Sequence, residues 1–461
     1  MNLSIADLEL IPGARVVGNR AQRGRARFTG VSTDSRSVAK GNVFIALRGE
    51  TFDGHTFIAD AIRSGVSAVV VDADYEIPAG VRRSDCTIVI VPETTKALGD
   101  LALLYRLKFD IPVIAVGGSN GKTTTKEMIA AVLREKFSVL STEGNLNNHI
   151  GVPQMLLRLR PDVEAMVLEV GTNHFGELQY LCSMALPTHA VVTNIGREHL
   201  EFFGTLEGVA DEETELFRYM ERSEGRAFVN ADDRYLKKAA AVLPAAVTYG
   251  RSAGVDIRAE HIELDENACA SFDCALGAKK TVRRFRLGAA GAHNVSNALA
   301  AIAVGSSFGI SASAISRALA KFISASKRME IIRRQTTGVT ILNDTYNANP
   351  DSVDAALQTL ASMNVRGKKI VVLGDMFELG ARAAEEHQSV GRAVRKAKPS
   401  LLVTVGALSR AIHEAARLKG AIHCETKDEA IDVLKRHMAP GDAVLVKGSR
   451  GMKMELIVAQ L

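Results

Sequence analysis

Ala115-Val-Gly-Gly-Ser-Asn-Gly-Lys-Thr-Thr-Thr125 constrains this chain more than any other stretch. An apolar strand candidate, Ile111 to Val116, precedes it. A helix candidate, Thr123 to about Lys136, follows, with Met128, Ile129, Val132 and Leu133 on one face. Strand, glycine-rich turn, Lys-Thr and helix, in that order, is the layout of a phosphate-binding loop. Backbone N–H groups of such a turn wrap phosphate oxygens, and the helix N-terminus faces the anion. The candidate phosphate contacts are Gly118, Ser119, Asn120, Gly121, Lys122, Thr123 and Thr124. Lys122 can reach the β/γ-phosphates, and the Thr123 hydroxyl can ligate Mg²⁺. The strict pattern G-x-x-x-x-G-K-[ST] needs Gly at 116, where this chain has Val116. The motif is therefore a variant. A glycine-rich turn that binds nothing is the alternative, and the direct strand-to-helix setting weighs against it.

A chain of 461 residues is too long for one core and calls for roughly two to four domains. Its 47% hydrophobic and 24% charged residues describe an ordinary soluble globular protein. The net charge of +5 is small for this length, and part of it is local, in Arg15, Arg20, Arg23, Arg25 and Arg27. That basic stretch lacks interleaved aromatics and reads as a solvated face. Trp is absent, with only 7 Tyr and 16 Phe, so no base-stacking surface for nucleic acid is expected. The cysteines at 86, 182, 269, 274 and 424 are odd in number and form no C-x-x-C pair. They read as reduced, mostly buried thiols of a cytoplasmic protein. No basic start followed by an apolar run marks a signal peptide, and no stretch has the apolar length to span a bilayer.

Residues 1 to about 105 read as a small α/β unit, with strand candidates Val43–Leu47, Ala68–Asp72 and Thr87–Val91 and a helix over Thr56–Arg63. Its polar loops, Ser32–Arg36 and Leu47–His55, are either turns or an anion or sugar-nucleotide site using Arg36 and Arg48. A helix over Lys96–Leu107 leads into the phosphate loop. Strand and helix then alternate, which implies a parallel sheet. Strand candidates Ala165–Gly171 and Ala190–Ile195 are continuous apolar runs of the kind covered on both faces.

Ligands gather outside the carboxyl ends of such strands. Glu169, the loop Gly144–Pro153 and the segment Arg197-Glu-His-Leu-Glu201 would meet the phosphate loop there. A carboxylate near Thr123 is a natural Mg²⁺ ligand, and His199 is a second candidate. The acidic run Gly208–Phe217 reads as the first turns of a helix, either as a solvated face or with one carboxylate turned inward to metal. Residues 245 to 290 look strand-rich, and a helix opens after Gly291. Asn294 and Asn297 share its face and can cap it or read a purine edge. A further doubly wound α/β unit begins near Ser324–Glu330, with strand candidates Val339–Asn343, Lys369–Leu373, Leu401–Val405 and Ala443–Lys447.

These motifs, in this order, resemble the Mur ligase family nearly end to end. The resemblance rests on Thr33–Arg36, Gly118–Thr124, Gly144–Pro153, Glu169–Glu177, Asn194–Glu201, Asn294–Asn297, Asp344–Pro350 and Leu373–Gly380. The family's own phosphate loop departs from the strict pattern, which accounts for Val116. The resemblance implies an α/β protein of three domains: a small N-terminal UDP-binding domain over 1–105, a central parallel-sheet P-loop ATPase domain over 106–325, and a C-terminal Rossmann-like domain over 326–461. It implies an ATP- and Mg²⁺-dependent ligase joining D-alanyl-D-alanine to UDP-MurNAc-tripeptide through an acyl phosphate, working as a cytoplasmic monomer in peptidoglycan synthesis.

Carried over by motif, Lys122, Glu169 and His199 are the expected catalytic residues, and Thr123, Glu169 and His199 the metal ligands. Asn294 and Asn297 match adenine-side residues, and Arg328 and Asp344 match residues reaching ATP from the C-terminal domain. Ser35, Arg36, Arg48, Asp53, His55, Asn147 and Asn148 fall toward the UDP-muramoyl substrate. Asn347, Asn349 and the segment Lys447–Gly451 fall toward the dipeptide.

One position departs from the family. An Ala-Lys-x-Glu-type segment there carries a lysine, carbamylated to an anion. Aligning on Glu215-Leu-Phe217 puts Glu213 in its place. Glu213 is expected to supply that carboxylate directly and hold a second Mg²⁺, without need of bicarbonate. The competing readings are a related Mur-type or folylpolyglutamate-type ligase adding a single amino acid, and a module that only holds nucleotide. No guanine-reading N-K-x-D occurs to support a GTPase. Whether the tripeptide ends in lysine or diaminopimelate is not written in these motifs.

Overall fold

The apolar runs Val43–Ile45, Ala68–Asp72 and Thr87–Val91 each form a strand that is buried almost throughout. The computed structural model describes residues 3–17, 27–76, 86–243, 245–276 and 281–461. Arg20, Arg23 and Arg25 of the basic stretch lie outside the described residues. By its internal contacts the chain divides into two units. One gathers 1–115, 137–172 and 176–189; the other gathers 116–136, 173–175 and 190–461.

In the first unit, five strands lie in the spatial order Arg15–Val17, Thr87–Val91, Ala68–Asp72, Val43–Ile45, Val31–Ser32. The first pair is antiparallel and the others parallel. The helix Thr94–Arg106 starts under a cap, with the Glu93 carboxylate accepting from the Thr95 N–H. It packs closely on the helix Glu177–Ala185, because a Cβ on Gly99 would come within 2.4 Å of the Tyr180 hydroxyl and 2.6 Å of Met184 Sδ. Arg106 is buried and donates to the carbonyls of Ala185 and Ile111. The strand Val139–Ser141 pairs in parallel with Ala165–Glu169, which is buried along its length.

In the second unit, strands follow one another in the order Thr281–Ala290, Cys269–Leu276, Ile257–Leu264, Ala246–Gly250, Arg226–Asn230, and then His189–Val192 from Ala190 on. The three-stranded meander at its edge is antiparallel, and Ala246–Gly250 pairs in parallel on both sides. The phosphate-loop helix, Lys122–Leu133, packs against the nearly all-buried helix Asn294–Ser307. Gly305 makes the approach possible, since a Cβ there would lie 2.5 Å from Val132 Cγ1. A six-stranded sheet completes the unit in the order Glu330–Arg334, Val339–Asp344, Ala443–Lys447, Lys369–Gly374, Leu401–Val405, Ala421–Cys424. Only its first pair is antiparallel.

One expectation is corrected. The acidic run does not open one helix but straddles two, with Glu215 in the first turn of the second. A helix Leu206–Glu213, capped by the Thr205 hydroxyl, ends there, and a second, Glu215–Ser223, follows. Thr214 marks the break, its hydroxyl donating back to the Ala210 carbonyl at 2.6 Å. Asp211, Glu212 and Glu213 therefore sit at a helix C-terminus, where the dipole opposes acids. All five cysteines are free, four of them buried. Among the described residues, no helix is long and apolar enough to cross a membrane.

Candidate active site

Gly118 and Gly121 adopt positive φ, +107° and +84°, and Gly121 caps the helix Lys122–Leu133 from the left-handed region. That backbone turns the loop around the helix start, so its amides converge. Lys122 folds back over the turn. Its amino group donates to the Gly118 carbonyl and to that of Ser119 at 3.3 Å, and sits 3.4 Å from Glu198 Oε2. The Gly118 N–H donates to Glu213 Oε2 at 2.6 Å. Ser119 Oγ accepts from the Gly196 N–H at 2.7 Å, and Asn120 exchanges hydrogen bonds with the Asn194 amide. Thr123 is buried.

Two buried carboxylates thus lie around one lysine. Burial pushes the Glu213 carboxyl up to about 7; the Glu198 and Glu212 charges add to the rise, while Lys122 and the Gly118 N–H oppose it. Burial also raises Glu198, against the pull of Lys122 and His199. Glu213 Oε1 is buried with no hydrogen-bond partner. His199 has left-handed backbone, φ +48°, at the start of Leu200–Phe203. Its Nδ1 lies 2.6 Å from Glu378 Oε2 and its Nε2 3.9 Å from Glu198 Oε2. Burial would lower its pKa, but the Glu378 hydrogen bond and the Glu198 charge outweigh that and raise it.

The C-terminal loops reach the same place. Asn349, which caps the helix Pro350–Ser362, donates to Asn120 Oδ1 at 2.9 Å. Asp344 pairs with Lys447 at 2.6 Å and accepts the Met329 N–H, and Lys447 also donates to the exposed Asn347 through its carbonyl. Arg328 stacks 3.7 Å above the Tyr346 ring. Asn294 and Asn297 are buried at the start of their helix. They bond to each other at 2.9 Å, and Asn297 faces Gly121.

Glu169, Asn147, Asn148, Ser35, Arg36, Arg48, Asp53 and His55 belong to the first unit. Glu169 is buried there, with Oε1 accepting from Asn147 Nδ2 at 2.9 Å and Oε2 unpartnered. Asn148 Oδ1 accepts from the Ile150 and Gly151 N–H groups at the entry to the helix Gly151–Leu156. Ser35 shares a turn with the exposed Arg36, which Asp34 holds in a bidentate pair. Arg48 is ringed by Asp53, Asp72 and Asp74. His55 is buried, its Nε2 accepting the Asp72 N–H and its Nδ1 2.6 Å from Asp53. Glu198, Asn194 and Glu378 are site residues that sequence reasoning did not single out; all three stood inside quoted motifs with no mark to separate them from their neighbours.

Whether these groups suit Mg²⁺ can be judged from their oxygens. Glu213 Oε1 and Glu169 Oε2 are buried acceptors without partners, and His199 is backed by a carboxylate, as metal-bound histidines commonly are. No cluster of three or more His, Cys, Asp or Glu spaced to hold a metal occurs among the described residues. Mg²⁺ does not need one, since it binds through one or two carboxylates together with phosphates and water. The donor set fits.

The raised Glu213 has a measurable consequence. Its unfolded pKa is near 4.5 and its folded one about 7, so the unfolded chain ionises first. Stability present below the lower value is lost as pH rises through the upper one, by on the order of 3 kcal/mol at 1.36 kcal/mol per unit. Glu213→Gln keeps an acceptor for the Gly118 N–H and removes the charge. Urea unfolding of the nucleotide-free protein across this range is expected to show a flatter pH slope for the variant than for wild type. Identical slopes would assign the effect to another group.

Three family models match the chain. The Mur ligase family catalytic domain covers 27–106, the Mur ligase middle domain 116–305, and the Mur ligase glutamate ligase domain 327–450. The UDP-N-acetylmuramoyl-tripeptide–D-alanyl-D-alanine ligase of Bacillus subtilis (strain 168) is 36% identical over 436 residues, 94% of this chain and 93% of that protein. A crystal structure of MurF from Acinetobacter baumannii is 32% identical, covers 100% of this chain and 99% of its own, and superposes with a TM-score of 0.90. A MurF ligase from Thermotoga maritima, crystallised in complex with ADP, is 28% identical, covers 94% of this chain and 96% of its own, and gives a TM-score of 0.82.

Proposed function

The chain belongs to the Mur ligase family, and from that premise we propose that it joins D-alanyl-D-alanine to UDP-MurNAc-tripeptide at the expense of ATP. The observation that carries this reading is a near-full-length match to relatives of that activity, with a phosphate loop whose lysine sits among buried acids.

A carboxylate is a poor acyl donor. Transfer of the γ-phosphoryl group to the tripeptide's terminal carboxylate gives an acyl phosphate. The dipeptide amine attacks its carbonyl, the C–O bond to phosphate breaks, and an amide, phosphate and ADP result. Such transfer needs positioning and charge neutralisation above all. We assign Lys122 to the γ-phosphate and residues 118–124 to the phosphate chain, with the N–H groups of 118, 119 and 120 held in place by Glu213 and Asn194. Thr123, Glu169, His199 and Glu213 would hold Mg²⁺, which when bound neutralises phosphate charge. Glu213 stands as the built-in carboxylate that makes bicarbonate unnecessary. Asn294 and Asn297 take the adenine side; Arg328 and Asp344 approach ATP from the C-terminal sheet. Ser35, Arg36, Arg48, Asp53, His55, Asn147 and Asn148 serve the UDP-muramoyl substrate, and Asn347, Asn349 and Lys447–Gly451 the dipeptide.

We set the domain limits at 1–105, 106–325 and 326–461, a division supported by the spacing of the three family segments. The reading calls for a monomer in the cytoplasm, where ATP is supplied. The test is ADP release with UDP-MurNAc-tripeptide, comparing D-alanyl-D-alanine with single amino acids. Turnover is expected with the dipeptide. Turnover with a single amino acid and none with the dipeptide would make it a sister ligase instead.

A further inference from the structure

We infer that Arg197 is a positioning residue for ligation, a latch that holds the C-terminal helices onto the phosphate loop and His199. The inference rests on the ligase reading above.

The backbone of Arg197 is part of the site floor. Gly196 before it bonds Ser119, and Glu198 after it faces Lys122. The side chain turns away from both. Its Nε and Nη2 donate to Asp351 Oδ1 at 2.9 and 2.6 Å, and its own N–H donates to Asp351 Oδ2 at 2.6 Å. Nη1 donates to Glu386 Oε2 at 2.9 Å. Asp351 lies in the first turn of Pro350–Ser362 and Glu386 in the first turn of Ala383–Ala397. One guanidinium therefore ties two helix N-termini to the turn that carries Glu198 and His199. A lysine could not make this fork of bonds.

What the latch holds in place is informative. Beside Asp351, Asn349 bonds Asn120 of the phosphate loop. Ahead of Glu386, Glu378 meets His199, its carbonyl accepts the Glu201 N–H, and Gly380 lies against Glu201 so closely that a Cβ would come within 3.0 Å of its Cα. Removing the guanidinium leaves the buried Glu386 with Arg382, and leaves Asp351 beside Asp354 without their shared cation. The C-terminal contacts to Asn120 and His199 then lose their anchor, while the phosphate loop keeps every partner it has before residue 300.

The test uses the full chain and measures both turnover and ADP binding by calorimetry. Arg197→Met is expected to lower kcat by about 10-fold or more with ADP affinity unchanged, the signature of lost alignment. Millimolar guanidinium is expected to restore part of the rate, and Arg197→Lys to fall short of wild type. Asp351→Asn should depress kcat in the same way, and the double variant should be no worse than the single ones. Unchanged kcat in Arg197→Met overturns the inference, as does loss of ADP binding in parallel with kcat. If Arg197→Met fails to fold, unchanged kcat in Asp351→Asn overturns it. A wild-type protein inactive with the dipeptide instead overturns the ligase reading.

Discussion

Lys122→Met is expected to lower kcat for dipeptide-dependent ADP release by on the order of 10²–10³-fold, the loss typical when one donor to a developing charge is removed. The structure makes the reason specific. Lys122 is the cation that Glu198 and Glu213 share, and its amino group already lies within the phosphate loop, on the Gly118 and Ser119 carbonyls. A phosphate entering the loop meets a charge held in position rather than one that must be recruited. The same substitution leaves Glu198 and Glu213 facing each other without their cation, so one must take up a proton. Proton uptake on folding is thus expected to rise in the variant, measurable as a steeper loss of stability with increasing pH. A variant that keeps wild-type kcat would remove Lys122 from the chemistry.

Gly118→Ala is the second large effect. At φ +107° an added Cβ would stand 2.3 Å from Thr193 Oγ1 and 2.6 Å from the Thr193 nitrogen. Thr193 is anchored to Gly117 and cannot retreat, since its N–H donates to the Gly117 carbonyl. Strain of the left-handed backbone and steric crowding each cost about 1–3 kcal/mol. Together they are expected to destabilise the second unit by about 3 kcal/mol or more and to abolish ADP binding by displacing the N–H that Glu213 holds. Gly144→Ala is the control. Its φ of +57° carries strain, but nothing lies within 4 Å of the added carbon, so a cost of about 1–2 kcal/mol is expected. Equal denaturation midpoints for the two variants would mean that crowding at 118 is relieved elsewhere.

The phosphate loop was legible in sequence because its determinants are local: glycines at the turn, Lys-Thr at a helix start, an apolar run before them. The strands Ala68–Asp72, Thr87–Val91, Leu401–Val405 and Ala443–Lys447 were legible for the same reason. Short or charged edge strands were not. Glu330–Arg334 carries three charges in five residues and becomes a strand by pairing with Val339–Asp344. The helix break at Thr214, where the hydroxyl bonds back to the Ala210 carbonyl, has no signature in the periodicity. The bond between Arg197 and Asp351 joins residues 154 apart, so no spacing rule could announce it. His55 had the look of a ligand because it sits in a polar loop. Sequence alone could not show that its Nε2 accepts the Asp72 N–H, a bond that braces the loop carrying Arg48 and Asp53.

The interleaving of the two units bears on how the chain is made. The first unit takes nothing beyond residue 189, so it can close while the rest is still being synthesised. The segment 116–136 is set aside from it. Each side chain named here as gripping the phosphate loop comes later: Asn194, Glu198, Glu213, Asn297 and Asn349. An unfinished chain on the ribosome, or one cut short, therefore carries an unassembled loop. Competence to spend ATP is therefore expected only once the C-terminal helices are made, and a chain ending before them is expected to release no ADP.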